Sequence, residues 1–120
     1  MKDFPAIHKE FERAIAQLGR ELPGPMSGFA QLHKAATAGG VLPAKVKELI
    51  ALGTAITARC EGCIAYHVHD SLKAGASPAE VTETIGVAVM MGGGPSVIYG
   101  SEALQALHQF APEPAAVPAD

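Results

Sequence analysis

Both cysteines of the chain lie in one short run, "RCEGCIAYHVHD" at residues 59–70, together with two of its five histidines. Thiol and imidazole groups this close allow three chemistries: a metal site, a thiol–disulfide couple, or a nucleophile with its base. On a helix each residue advances by about 100°, which puts Cys63 at about 300° and His67 at about 340° from Cys60, on one face, and His69 at about 180°. A four-ligand zinc site needs converging donors, and His69 then points elsewhere. Cysteines at i and i+3 of a first helical turn instead have Cα atoms about 5–6 Å apart, within reach of a disulfide. A helix N-terminus at that point stabilises a thiolate through its free amides and its dipole. His67, one turn past Cys63, is spaced to take its proton directly or through a water. The dipole favours Cys60 as the nucleophile and the histidine favours Cys63. The residues alone leave that choice open.

Glu48 is the fourth candidate. It stands before Leu49, Ile50, Ala51 and Leu52, one helix upstream of Cys60. Its spacing fits either a solvated carboxylate beside Lys45 and Lys47 or a buried acid exchanging a proton with the histidine. Asp70 reads as a hydrogen-bond partner for His67 without chemistry of its own, and His69 as an exposed or interface histidine. His8, His33 and His108 are isolated and carry no signal. "GGGP" at 92–95 lacks the Lys-Ser/Thr of a phosphate loop and reads as a turn. Tyr66, Tyr99 and Phe29 fit either the lining of a substrate pocket or core packing, and core packing is the preferred reading.

The elements that position these residues are all helical, with no convincing strand. A first helix is predicted over Pro5–Leu18, with Ile7, Phe11, Ile15 and Leu18 in one stripe, ended by "ELPGP". A second spans Met26–Ala38. The third has Pro43 in its first turn and runs towards Arg59, carrying Val46, Leu49, Ile50 and Ile56. The fourth opens at Cys60 and ends at Gly75, a C-terminal cap. "SPAE" from Ser77 is a capping box for the fifth, which reads to Met91. Pro95–Phe110 forms the sixth. Val46, Glu48 and Ile50 recur as Val81, Glu83 and Ile85, consistent with paired helices. The organisation expected is an N-terminal helical segment over 1–40, a core over 41–110, and a disordered tail over 111–120, where "APEPAAVPAD" is proline-rich.

At 120 residues the chain fits one domain. It is 48% hydrophobic without a tryptophan, an apolar excess that a small domain buries in a subunit interface, so an oligomer is expected. A net charge of −3 and singly scattered lysines and arginines exclude a basic field for nucleic acid or acidic membranes. The N-terminus is charged from Lys2 and lacks an apolar signal core, and "GGGP" interrupts the longest apolar run, so a cytoplasmic protein is expected. In a reducing compartment a cysteine pair argues for redox or metal chemistry over a structural staple. No motif calls for a cofactor.

The arrangement Glu48-x11-Cys60-x2-Cys63-x3-His67 resembles the core signature of the AhpD-like alkylhydroperoxidases, within the carboxymuconolactone decarboxylase superfamily. The likeness covers roughly Leu42–Phe110, including "AGASPAEVTE". It implies an all-α AhpD-like fold assembled as homotrimers or homohexamers. It also implies a thiol-dependent hydroperoxide reductase, with Cys63 peroxidatic, Cys60 resolving, and Glu48 and His67 as the proton relay. The implied partners are a hydroperoxide or disulfide substrate and a dithiol reductant such as a dihydrolipoamide-bearing protein. The larger enzymes of that group carry a histidine where Gly62 stands here. Two other classes remain: a non-enzymatic redox sensor or metal-binding helical oligomer, and a carboxymuconolactone decarboxylase-like lyase using His67 or Glu48 as its acid–base group.

Overall fold

A computed structural model describes residues 1–112 of the chain. Most of the tail expected to be disordered, from residue 113, lies outside the described residues. Among the described residues the regular elements are six helices: α1 (Phe4–Glu21), α2 (Pro23–Thr37), α3 (Ala44–Ala58), α4 (Glu61–Lys73), α5 (Pro78–Gly92) and α6 (Gly94–Phe110). The all-α expectation holds, with the CxxC pair at the start of a helix. Among the described residues, no helix is long and apolar enough to cross a membrane.

The core sits where α3, α4, α5 and α6 pack pairwise. Leu52 and Ile56, Ile64 and Val68, Val81, Ala103 and Ala106 are wholly buried there. Small residues on α6 allow close approach: a Cβ at Gly100 would stand 3.0 Å from Ile85 Cγ2. α1 lies across α4 and α6. Its anchor is Phe4, fully buried at the N-terminal end, with its backbone N–H donating to Gln109 Oε1 at 2.8 Å. α2 leans on α1 and α3 and buries no residue.

The ends of the helices are readable in their chemistry. Asp3 caps α1, its Oδ1 accepting from the Ala6 N–H at 3.0 Å. The predicted capping box of α5 is present in both directions, Glu80 N–H to Ser77 Oγ at 3.1 Å and Ser77 N–H to Glu80 Oε1 at 2.8 Å. α2 begins earlier than expected because Pro23 takes the first helical position, where a missing N–H costs nothing. "ELPGP" is therefore a one-residue break at Leu22. The α1 stripe also departs from expectation. Phe11, Ile15 and Leu18 are each more than 40% exposed rather than buried in the core.

Candidate active site

The turn from α3 into α4 sets the two cysteines. Arg59 ends α3 in the left-handed region (φ 59, ψ 45). Its N–H donates to Ile56 O at 3.1 Å, and the Cys60 N–H to Ala55 O at 3.1 Å, the paired bonds of a Schellman turn. The same turn closes α4 at Gly75, with φ 99. Glycine adopts that backbone freely, whereas a residue with a Cβ is held there at a cost of about 1–2 kcal/mol.

Cys60 thereby becomes the N-cap of α4, with Cys63 in the first turn. Their Cα atoms are 5.1 Å apart and the sulfurs are joined as a disulfide. The Cys63 N–H donates to Cys60 Sγ at 3.2 Å, the bond a serine or aspartate cap would accept. A sulfur in that position is favoured as an anion. Cys63 packs against the edge of the core.

His67 follows one turn on, and its Nδ1 lies 2.9 Å from Glu48 Oε1 on α3. Glu48 is only 7% exposed, so the solvated-carboxylate alternative falls and the buried acid stands. A carboxylate holding the Nδ1 proton leaves the lone pair on Nε2, the arrangement of an imidazole ready to accept a proton. Cys60, Cys63 and His67 line one cavity of 810 Å³, with Glu48 behind the imidazole. The structure thus brings all four candidates together.

The cavity's other wall comes from α1 and α2: Phe11, Ile15, Met26, Phe29, Ala30 and His33. His33 was missed by sequence reasoning, yet its ring stacks over that of His67, centroids 6.5 Å apart and planes 26° from parallel. The usable signal was the spacing of Met26, Phe29, Ala30 and His33 on one face of α2. Phe29 and Tyr66, read as core packing, both line the cavity, and Phe29 is 60% exposed. Tyr99 does pack against the core. Burial pushes the Tyr66 phenol above its usual range, with the carboxylates of Glu12 and Asp70 adding to the shift. Phe11 also explains Gly62: a Cβ there would meet its ring at 3.1 and 3.2 Å.

His69 turns away from the cysteines, as the helical arithmetic requires. Asp70 corrects the expectation, since its Oδ1 pairs with His69 Nδ1 at 2.9 Å and not with His67. Glu48, His67 and Asp70 each place a donor atom within 4.8 Å of the others. With both sulfurs bonded to each other, a thiolate zinc site has no thiolates in this state.

A second, shallower groove of 510 Å³ opens between α3 and α5, lined by Val46, Leu49, Ile50, Val87, Ala88 and Met91 among others. Met90, Val97 and Ile98 are exposed nearby.

Residues 23–106 match the carboxymuconolactone decarboxylase family. An uncharacterised protein of Cupriavidus necator is 40% identical over 95 residues, 79% of this chain and 84% of that protein. A carboxymuconolactone decarboxylase family protein from Legionella pneumophila, solved in its apo form, superposes with a TM-score of 0.85 at 44% identity, covering 89% of this chain and 96% of that one. A family member from Thermotoga maritima, for which involvement in antioxidative response has been suggested, superposes with a TM-score of 0.68 at 28% identity, covering 80% of this chain and 88% of that one.

Proposed function

The chain belongs to the carboxymuconolactone decarboxylase family, and within it we propose an AhpD-like, thiol-dependent hydroperoxide reductase. One observation carries this reading. A cysteine pair able to close a disulfide stands at a helix N-terminus beside a buried carboxylate–imidazole pair, on the floor of an apolar cavity.

In the reduced protein, His67 takes the Cys63 proton at Nε2 while Glu48 stabilises the imidazolium. The Cys63 thiolate attacks the outer oxygen of a hydroperoxide. The O–O bond breaks, the sulfur becomes a sulfenic acid, and the alkoxide leaves as an alcohol with the proton that His67 returns. Cys60 then attacks the Cys63 sulfur, expelling water and closing the disulfide. A dithiol donor supplies two electrons and two protons to reopen it, a dihydrolipoamide-bearing protein being the reductant that the resemblance favours. The sum is one hydroperoxide and one dithiol converted to alcohol, water and a cyclic disulfide.

His33 adds a second imidazole on the cavity's opposite wall, within water-bridged reach of His67. The α3–α5 groove and the exposed Met90, Met91, Val97 and Ile98 support assembly into a homotrimer or homohexamer. No cofactor takes part.

The test is a thiol count on reduced, metal-free protein before and after one equivalent of an organic hydroperoxide. Loss of both thiols with stoichiometric peroxide consumption is expected. Survival of both thiols rejects the reading.

A further inference from the structure

On the flank of α4 turned away from the disulfide, two histidines distant in sequence meet. His8 of α1 is buried at 9% exposure, and its ring centroid lies 4.3 Å from that of His69, the planes 35° apart. Each imidazole has a carboxylate at its Nδ1: Asp70 Oδ1 at 2.9 Å from His69 and Glu12 Oε1 at 3.3 Å from His8. His8, His69 and Asp70 each present one donor atom, and these three lie within 4.8 Å of one another. Nothing in the peroxide chemistry uses them.

Bonds of about 2.0–2.1 Å to a tetrahedral zinc-class ion place its donors about 3.3–3.4 Å apart. The His8–Glu12 separation of 3.3 Å has that length, and the His69–Asp70 hydrogen bond of 2.9 Å opens slightly to reach it. The three donors lie within 4.8 Å of one another, and closing them onto an ion requires His69 and Asp70, both partly exposed, to move inward. Tyr66 and Phe110 flank the pair, their rings 4.4 Å from His8 and 5.5 Å from His69 respectively. Imidazole nitrogens with carboxylate oxygens and no thiolate suit zinc and its late first-row neighbours, and disfavour calcium and magnesium.

We propose that His8, His69 and Asp70, with Glu12 able to complete the shell, bind a divalent ion of the zinc class. Such an ion ties α1 to α4 at the margin of the disulfide cavity, which Asp70 also lines. The site does not rest on the peroxidase reading, because none of its donors belongs to the redox machinery.

The experiment uses the full chain, oxidised so that no free thiol remains, titrated with Zn2+ by calorimetry and followed by thermal melting. One equivalent is expected to bind, raising Tm. His69→Gln, at a partly exposed position, is expected to weaken binding at least tenfold with helicity intact, and His8→Gln to do the same where it folds. Glu48→Gln and His67→Gln are expected to leave zinc affinity unchanged. A Co2+ adduct is expected to show a visible d–d spectrum without a thiolate charge-transfer band. Absence of binding at 100 µM free Zn2+, undiminished binding by His69→Gln, or loss of binding in His67→Gln would each overturn the proposal, the last by moving the ion to Glu48, His67 and Asp70.

Discussion

The cavity has two unlike walls. One is α4 with α3 behind it: Ile64, Ala65 and Val68 lie wholly in the core, and Cys60, Cys63 and His67 ride on that anchored helix. The other is α2, which buries no residue yet contributes Met26, Phe29 and His33. Side chains that must hold a reacting geometry belong on a backbone that packing has immobilised, because small displacements are costly to catalysis. Contacts that only admit or retain a ligand tolerate a looser support. Under the proposed function, chemistry falls to the rigid wall and recognition to the loose one.

Substitutions on the two walls should therefore fail in different ways. The largest effect is expected from Cys63→Ser, which should abolish hydroperoxide turnover with an unchanged circular dichroism spectrum; residual turnover within tenfold of the parent would move the nucleophile elsewhere. Glu48→Gln should lower turnover by about 10²–10⁴-fold, the usual size of a general acid–base contribution, and should shift the pH dependence of thiolate formation measured by ultraviolet absorbance. Leu52→Ala, in the scaffold behind the rigid wall, should cost about 2–5 kcal/mol in denaturant unfolding. On the loose wall, Phe29→Ala should raise KM for a bulky hydroperoxide several-fold, with kcat and the melting temperature nearly unchanged. A large stability loss there would mean that α2 is as structural as α4.

The smallest effect concerns the α5 cap, remote from both walls. The Glu80 carboxyl is held below its usual range by the Ser77 backbone N–H and by Lys45. A depressed folded value means the stabilisation is present above the ordinary carboxylate pKa and is lost as pH falls through the folded one. Glu80→Gln should accordingly lower Tm slightly near neutrality, and the difference should shrink as pH falls below the ordinary carboxylate range towards the depressed folded value.

How much of this was legible in the sequence depends on whether the deciding contact is local. The CxxC turn, the His67 phase and the Ser77 box are set within one or two helical turns, and fixed angular steps place them. Glu48 was only half legible. Its apparent counterpart in the repeated pattern, Glu83, is exposed where Glu48 is buried, and nothing in the local pattern separates the two. What distinguishes them is which helix lands on each face. His8 and His33 were invisible for the same reason, since their partners lie on α4, far along the chain. The α1 stripe misled because apolar periodicity reports a face that is covered, without saying whether protein core or a cavity covers it.

The contact between Gly62 and Phe11 also bears on substitution at either position. A side chain added at 62 meets the Phe11 ring first, so the fitness of any substitution at one position depends on the occupant of the other. A side chain at 62 becomes accessible once Phe11 has shrunk or swung into solvent. Shrinking Phe11 first, however, opens the cavity before any new side chain exists to use the space. The two positions are sterically coupled, so a substitution at either has to be read together with the occupant of the other.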